Sequence, residues 1–194
     1  LWALTSDQVR SSLFPIGNLL KKNVRKIATA QGFITAKKKD STGICFIGER
    51  RFKDFLKKYI KPKRGPILSE DGIEVGEHEG LIFYTVGQRQ GLHIGGLKNH
   101  PNQPWFVASK DLSRNELFVV QGNNHPSLFS RGLRGGQVNW IGEPPSLPRR
   151  LSAKVRYRAE DSLCSIESNG DELMIIFDEP ERAVTPGQSV VFYD

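Results

Sequence analysis

Cys45 sits in a setting that could do sulfur chemistry. It lies in Lys37-Lys38-Lys39-Asp40-Ser41-Thr42-Gly43-Ile44-Cys45-Phe46-Ile47-Gly48, where three lysines lead into a short polar, glycine-containing loop. The residues that follow predict a helix from Glu49 to Ile60, because Phe52, Phe55, Leu56, Tyr59 and Ile60 fall at helical spacing and form one apolar stripe. A cationic run upstream and a helix N-terminus downstream both favour the thiolate over the thiol. An ordinary cysteine, with a pKa of about 8.5, is only ~3% ionised at pH 7. Lowering that pKa by about two units makes it roughly three-quarters ionised, at about 2.7 kcal/mol of differential stabilisation. Cys45 is therefore a candidate reactive sulfur. The alternative is a small buried residue in a turn, the usual place of a free cysteine.

Other residues with chemical potential are less well placed. Cys164 shares a strand face with Ile166 and reads as core. His78, His93, His100 and His125 have no metal-ligand partners at useful spacing, so surface or loop positions are expected for them. Gly87-Gln88-Arg89-Gln90-Gly91-Leu92-His93-Ile94-Gly95-Gly96 is neither a Walker loop nor a dinucleotide fingerprint. It reads either as a tight structural loop or as an RNA or domain contact through Arg89. Lys154, Arg156 and Arg158 alternate along one predicted strand and share a face, with Tyr157 on the other. Such a row tracks a phosphate backbone or is simply a solvated face.

The elements that must position these residues change character along the chain. Thr5 and Gln8 form a capping box for a short helix, with Val9 and Leu13 beginning its apolar face and Pro15 and Gly17 ending it. Val24, Ile27 and Ala28 mark a second helix, with Gly32 placed to cap its end. After Pro62 short apolar runs between turn residues predict strands. The runs are a hairpin through Asp71-Gly72, a strand over Leu81–Val86, and a second hairpin of Trp105–Ser109 with Glu116–Val120. Beyond Gln137 the expected strands are Val138–Ile141, Leu151–Arg158, Leu163–Glu167, Glu172–Phe177 and Ser189–Tyr193. Asn169-Gly170 signals a hairpin and Pro186-Gly187 a type II turn. Met174 and Ile176 alternate with Leu173, Ile175 and Phe177, as in a strand covered on both faces. Several short strands in series predict a small closed barrel.

Composition fits this picture. The 194 residues are 38% hydrophobic and 25% charged, as in a soluble globular protein of one to three small domains. No apolar run approaches the ~20 residues of a membrane span. The two cysteines have no metal-like or C-x-x-C spacing, which argues against a zinc site, a disulfide scaffold or a thioredoxin motif and for a reducing compartment. The net charge of +7 points to an acidic partner, nucleic acid first.

Three strings together carry a resemblance. Ala36–Gly48 resembles the catalytic-cysteine segment of the bacterial tRNA-specific 2-thiouridylases. Thr85-Val86-Gly87-Gln88-Arg89, with Gly91-Leu92 and Ile94-Gly95-Gly96, is similar to the central-domain signature of that family. Val184-Thr185-Pro186-Gly187-Gln188-Ser189, with Val191-Phe192-Tyr193, is similar to its C-terminal signature.

The resemblance implies an α+β chain. Residues 1–61 would be the C-terminal helical part of a PP-loop α/β catalytic domain, carrying the cysteine loop. Residues 62–133 would be a small, mostly-β central domain, and 134–194 a truncated C-terminal β-barrel. It further implies ATP-dependent (Mg-ATP) 2-thiolation of the wobble uridine, U34, of tRNA. Cys45 would accept sulfur as a persulfide from a sulfur-relay protein or a cysteine desulfurase. A second cysteine of the ATPase domain would assist, by disulfide formation or by attack on the activated base. Arg156, Tyr157 and Gln188 match family residues that contact tRNA, and Lys37, Lys38 and Lys39 suit a tRNA surface. A cytoplasmic, monomeric enzyme without membrane contact is implied. The family's S-G-G-x-D-S nucleotide loop and its partner cysteine are not in this sequence, and Cys164 does not match that partner. The expectation is a fragment inactive alone. The alternative is a non-catalytic RNA-binding β-barrel module in which Cys45 is incidental.

Overall fold

A computed structural model describes residues 3–40, 55–95, 103–156 and 159–194. Cys45, Tyr157, Arg158 and the first half of the predicted helix Glu49–Ile60 lie outside the described residues. The chain forms two compact units, one of residues 1–59 with 139–142 and one of residues 60–138 with 143–194.

In the first unit the sequence signals for helix ends are realised. Helix α1, Ser6–Arg10, has its capping box: Thr5 Oγ1 accepts from the Gln8 N–H at 3.3 Å, and the Thr5 N–H donates to Gln8 Oε1 at 2.9 Å. It ends before Leu13, which is exposed. Helix α2, Lys21–Ala30, closes on Gly32 at φ 71°. The Phe33 N–H reaches Ala28 O at 2.9 Å and the Gly32 N–H reaches Thr29 O at 3.0 Å, the paired bonds of a Schellman cap. The expected strand Val138–Ile141 does not form. Polar groups of this segment instead bond the N-terminal chain, Asn139 Nδ2 to Leu4 O at 2.9 Å and Gly142 N–H to Ser6 Oγ at 3.0 Å.

The second unit carries two sheets. The first contains β1 (Gly65–Ser69), β2 (Glu74–His78), β3 (Trp105–Asp111) and β4 (Glu116–Gln121) in the order β2-β1-β4-β3. Both hairpins are antiparallel and they meet through the parallel pair β1–β4. Alternation buries both faces. Ile67, Val75, Trp105, Val107, Leu117 and Val119 face one core, joined by Leu81, Tyr84 and Leu92. Phe106 and Val120 face the other way, onto Leu128 and Phe129.

Leu81–Val86 is not the expected strand. Leu81–Phe83 is a 3-10 turn, because Leu81 and Tyr84, three apart, both point into the core. His78 corrects another expectation, since it is fully buried. Its Nε2–H donates to Asn115 O at 3.0 Å and its Nδ1 accepts from the Gly80 N–H at 3.1 Å, so these two partners fix the tautomer. Gly65 permits that approach: a Cβ there would stand 2.3 Å from Asn115 O and 2.8 Å from His78 Nε2.

The second sheet contains β5 (Phe129–Gly135), β6 (Arg149–Lys154), β7 (Ser162–Asn169), β8 (Glu172–Arg182) and β9 (Val191–Tyr193), in the order β5-β8-β7-β6-β9. Among the described residues this ladder is open rather than closed, with β5 and β9 at its edges. Leu151, Ala153, Cys164, Ile166, Leu173, Ile175 and Phe177 are buried in alternation. Each such aliphatic side chain contributes roughly 1.5–3 kcal/mol. The other face of β8 is not covered as expected, because Ile176 is 46% exposed. The turn after Pro186 forms as the sequence indicates, with Gly187 at φ 80° and the Gln188 N–H on Thr185 O at 3.3 Å.

Candidate functional site

The lysine run is displayed by the turns after α2. The Ala36 N–H bonds Phe33 O and the Lys38 N–H bonds Thr35 O, each at 3.0 Å, and Lys37, Lys38 and Lys39 are all exposed. The segment is pinned to α2 from the side. Arg25 Nη2 donates to Lys38 O and to Asp40 Oδ1, both at 3.1 Å, and Lys21 Nζ stands 3.0 Å from the same carboxylate oxygen. These hydrogen bonds, Lys21 first and Arg25 second, hold the Asp40 carboxyl below its usual value. The pairs thus persist above the ordinary carboxylate range and are lost as pH falls through the lowered pKa. All three groups are substantially exposed, so the cluster directs the chain more than it stabilises the fold. The Lys21–Asp40 and Arg25–Asp40 pairs carried no signal in the sequence. Cys45, five residues beyond Asp40, lies outside the described residues.

Cys164 is fully buried on β7 and its thiol points at Leu151 O, 3.6 Å away. Burial first, and the Asp178 charge second, push its pKa up, which is the opposite of what a nucleophilic thiol needs.

Arg156 does not stand in an open row of cations. Its Nη2 donates to Val86 O at 2.7 Å and to Ala183 O at 3.3 Å, which bridges the Thr85–Gly91 loop to the end of β8. Lys154 is paired with Asp161 at 3.2 Å and lies over the Tyr193 ring. Arg158 and Tyr157 lie outside the described residues, and Gln188 is exposed on its turn.

The loop that Arg156 grips is built for close contact. Gly87, at φ 79°, has its N–H on Val107 O at 2.7 Å, and a Cβ there would meet the Ala183 Cβ at 2.5 Å. Gln88 Oε1 accepts from the Thr85 N–H and its Nε2 donates to Gln90 O, which closes the turn. Arg182 completes the junction, with Nε on Asn123 O at 3.1 Å and its guanidinium over Phe106. Burial, and secondarily the neighbouring Arg156 charge, lower the pKa of Arg182. This glycine-rich loop makes a close structural contact through Gly87, and Arg89 is exposed.

Replacing Arg156 with alanine removes two charged-donor hydrogen bonds across this junction and is expected to cost about 1.5–3 kcal/mol. Lysine should not restore it, because a point charge cannot span both carbonyls as the guanidinium does. Urea unfolding of the two variants checks this; wild-type stability in Arg156→Ala would remove the bridge.

No glycine-rich phosphate loop leads into α1 or α2, and α2 begins with Lys21 and Lys22 behind an N-cap, Leu20, that makes no side-chain hydrogen bond. No group of His, Cys, Asp or Glu among the described residues could hold a metal ion, and no helix among them is long and apolar enough to cross a membrane.

Three regions match described families in sequence order. Residues 1–49 match the tRNA methyl transferase HUP domain, 53–121 the tRNA methyl transferase PRC-barrel domain and 130–194 the aminomethyltransferase beta-barrel domain. The whole chain is also similar to proteins named tRNA-specific 2-thiouridylase MnmA. It is 54% identical to that of Francisella philomiragia, covering 55% of it, and 57% and 56% identical to those of Pseudomonas paraeruginosa and Pseudomonas aeruginosa, covering 52% of each. The chain belongs to the MnmA/TrmU family. It spans about half the length of the curated relatives it matches.

Proposed function

We propose that this chain is part of an enzyme that places sulfur on the 2-position of the wobble uridine, U34, of tRNA, with Cys45 as the sulfur carrier. The observation that carries this reading is the 54% identity, along the whole of this chain, to a protein named tRNA-specific 2-thiouridylase MnmA, together with the exposure of Lys37, Lys38 and Lys39. In this reading the Cys45 thiolate attacks the outer sulfur of a donor persulfide, on a relay protein or a cysteine desulfurase. A sulfur–sulfur bond forms on Cys45 and the donor leaves as its own thiolate. ATP, held by residues other than those described here, supplies the activation of the uracil 2-oxygen. The outer sulfur of the Cys45 persulfide attacks C2 and displaces the activated oxygen as AMP. A second cysteine, not Cys164, then attacks the Cys45 sulfur and breaks its bond to the sulfur now on C2, so that the thiolated base is released and a disulfide with Cys45 remains. Lys37, Lys38 and Lys39 attract the RNA backbone, Tyr157 and Gln188 contact the tRNA, and Arg156, whose guanidinium is engaged by Val86 O and Ala183 O, serves the tRNA surface by bracing it. The working division is a catalytic-domain part at 1–61, a central domain at 62–133 and a barrel at 134–194, in a cytoplasmic monomer.

The test is formation of 2-thiouridine in a tRNA transcript supplied with ATP and a sulfur donor. The full-length protein is expected to form it, and these 194 residues alone are not. Thiolation by the 194-residue chain would refute the assignment of ATP binding to other residues. Absence of thiolation by the full-length protein would refute the function itself.

A further inference from the structure

Beside the lysine run lies an open cleft of about 520 Å³, walled by α2 on one side and the turns before Asp40 on the other. Lys22, Arg25 and Lys26 face it from successive positions of one helical face, and Lys37 closes it from across. The floor is small, made by Thr29, whose hydroxyl is turned back onto Arg25 O at 2.9 Å, with Ala30 and Ala36.

Of the four cations in this cleft, Arg25 alone is paired among the described residues. The cleft lining contains no carboxylate. The nearby carboxylate, Asp40, is taken up by Lys21 and Arg25. Lys22, Lys26 and Lys37 make no ion pair or hydrogen bond among the described residues. The first turn of α2 also lacks any acidic residue and carries Lys21 and Lys22, so the helix dipole adds to the side-chain field instead of offsetting it. Lys22 and Lys26, four apart, repel one another as well.

We infer that this cleft is a seat for the phosphodiester backbone of an RNA stem, separate from the contacts made by Lys38 and Lys39. The lining chooses between kinds of polyanion. It has no aromatic ring on which an unpaired base could stack, which argues for backbone rather than single-stranded readout. It also has no large apolar side chain to anchor a protein partner, whose contacts concentrate on buried aromatic and apolar groups. Mobile point charges on lysine stems over an alanine floor suit a run of phosphates read without regard to sequence. The inference rests on the reading of this chain as part of a tRNA-modifying enzyme.

The experiment compares the full-length protein with its Lys22→Gln/Lys26→Gln variant, measuring affinity for a tRNA transcript and for an RNA hairpin stem lacking an anticodon loop, from about 0.05 to 0.3 M salt. Removing two phosphate contacts should weaken both RNAs roughly 10- to 30-fold near 0.15 M salt and lower the log–log salt slope by about two. The melting temperature should be unchanged or slightly raised, since only mutual repulsion is relieved. An unchanged slope and affinity overturn the inference. So does unchanged RNA binding with slower sulfur uptake from the donor, which would make the cleft a seat for an acidic protein. Loss of binding to the loop-containing tRNA alone also overturns it, because a stem seat must act on both. Failure of the unmutated protein to bind tRNA at all would instead sink the proposed function, and the inference with it.

Discussion

Changing Cys45 to serine in the full-length protein is expected to abolish tRNA thiolation, a loss of roughly 10³-fold or more, while tRNA affinity should stay within about twofold. Serine keeps the size and the hydrogen-bonding capacity of the side chain, but oxygen cannot take up a sulfur atom and pass it on. Its hydroxyl is also un-ionised at neutral pH, whereas the sequence around Cys45, with Lys37–Lys39 upstream and a predicted helix downstream, favours a thiolate. The substitution therefore separates chemistry from binding. A variant that lost both would identify Cys45 as a packing residue, and one that lost neither would remove it from the reaction. Cys164 cannot take over: it is sealed between β6 and β8 with its thiol on Leu151 O, and its pKa is raised by burial.

Changing Gly87 to alanine is the second large effect, and it acts on the scaffold. At φ 79° an L-residue is strained, and its Cβ would stand 2.5 Å from the Ala183 Cβ, with Arg182 Nη1 and Arg156 Nη2 at 3.5 and 3.7 Å. Neither neighbour yields easily. Ala183 is itself at φ 57° with its N–H on Leu128 O at 2.7 Å, and Arg156 is held by Val86 O. Strain of about 1 kcal/mol and overpacking of about 1–3 kcal/mol together predict roughly 2–4 kcal/mol of destabilisation, seen as a drop of about 5–12 °C in Tm. Gly91 is the control. It has the same φ of 79°, but the nearest atom a Cβ would meet is Gln88 Nε2 at 3.9 Å, so Gly91→Ala should cost only the strain. Equal losses in the two variants would show that the contact with Ala183 does not join the sheets.

The parts of this fold that were legible in the sequence are those set by local chemistry. The Thr5–Gln8 capping box, Gly32 after α2, the Asp71-Gly72 turn, the hairpin at Asn169-Gly170 and the Pro186-Gly187 turn all lie where the residues placed them. What failed depended on distant partners. Leu81–Val86 has the composition of a strand, yet no neighbouring strand takes it up, and Leu81 and Tyr84 turn inward together. Val138–Ile141 looks β-like, but Asn139 and Gly142 are bonded to Leu4 and Ser6, more than a hundred residues away in sequence. The parallel β1–β4 pairing has no local signature at all.

The candidate site divides in the same way. The charge run and the cysteine could be read directly from the chain. That Lys22 and Lys26 share a cleft with Lys37 depends on how α2 meets the turns that follow it, and the apolar periodicity of the helix gives no hint of this. Arg156 shows the limit of alternation as a guide. Its place in the strand pattern predicts an outward cation, whereas its guanidinium bridges two backbone carbonyls of the sheet junction.

The central claim, that Cys45 is held ready as a thiolate, is tested most directly by alkylating the full-length protein across pH 5–10 and following each cysteine by peptide mass. The account predicts that Cys45 reacts with an apparent pKa below about 7.5 while Cys164 stays unmodified until the protein is unfolded. A Cys45 that reacts only with the pKa of about 8.5 of a free thiol, or that is protected in the folded protein with and without tRNA, would contradict it.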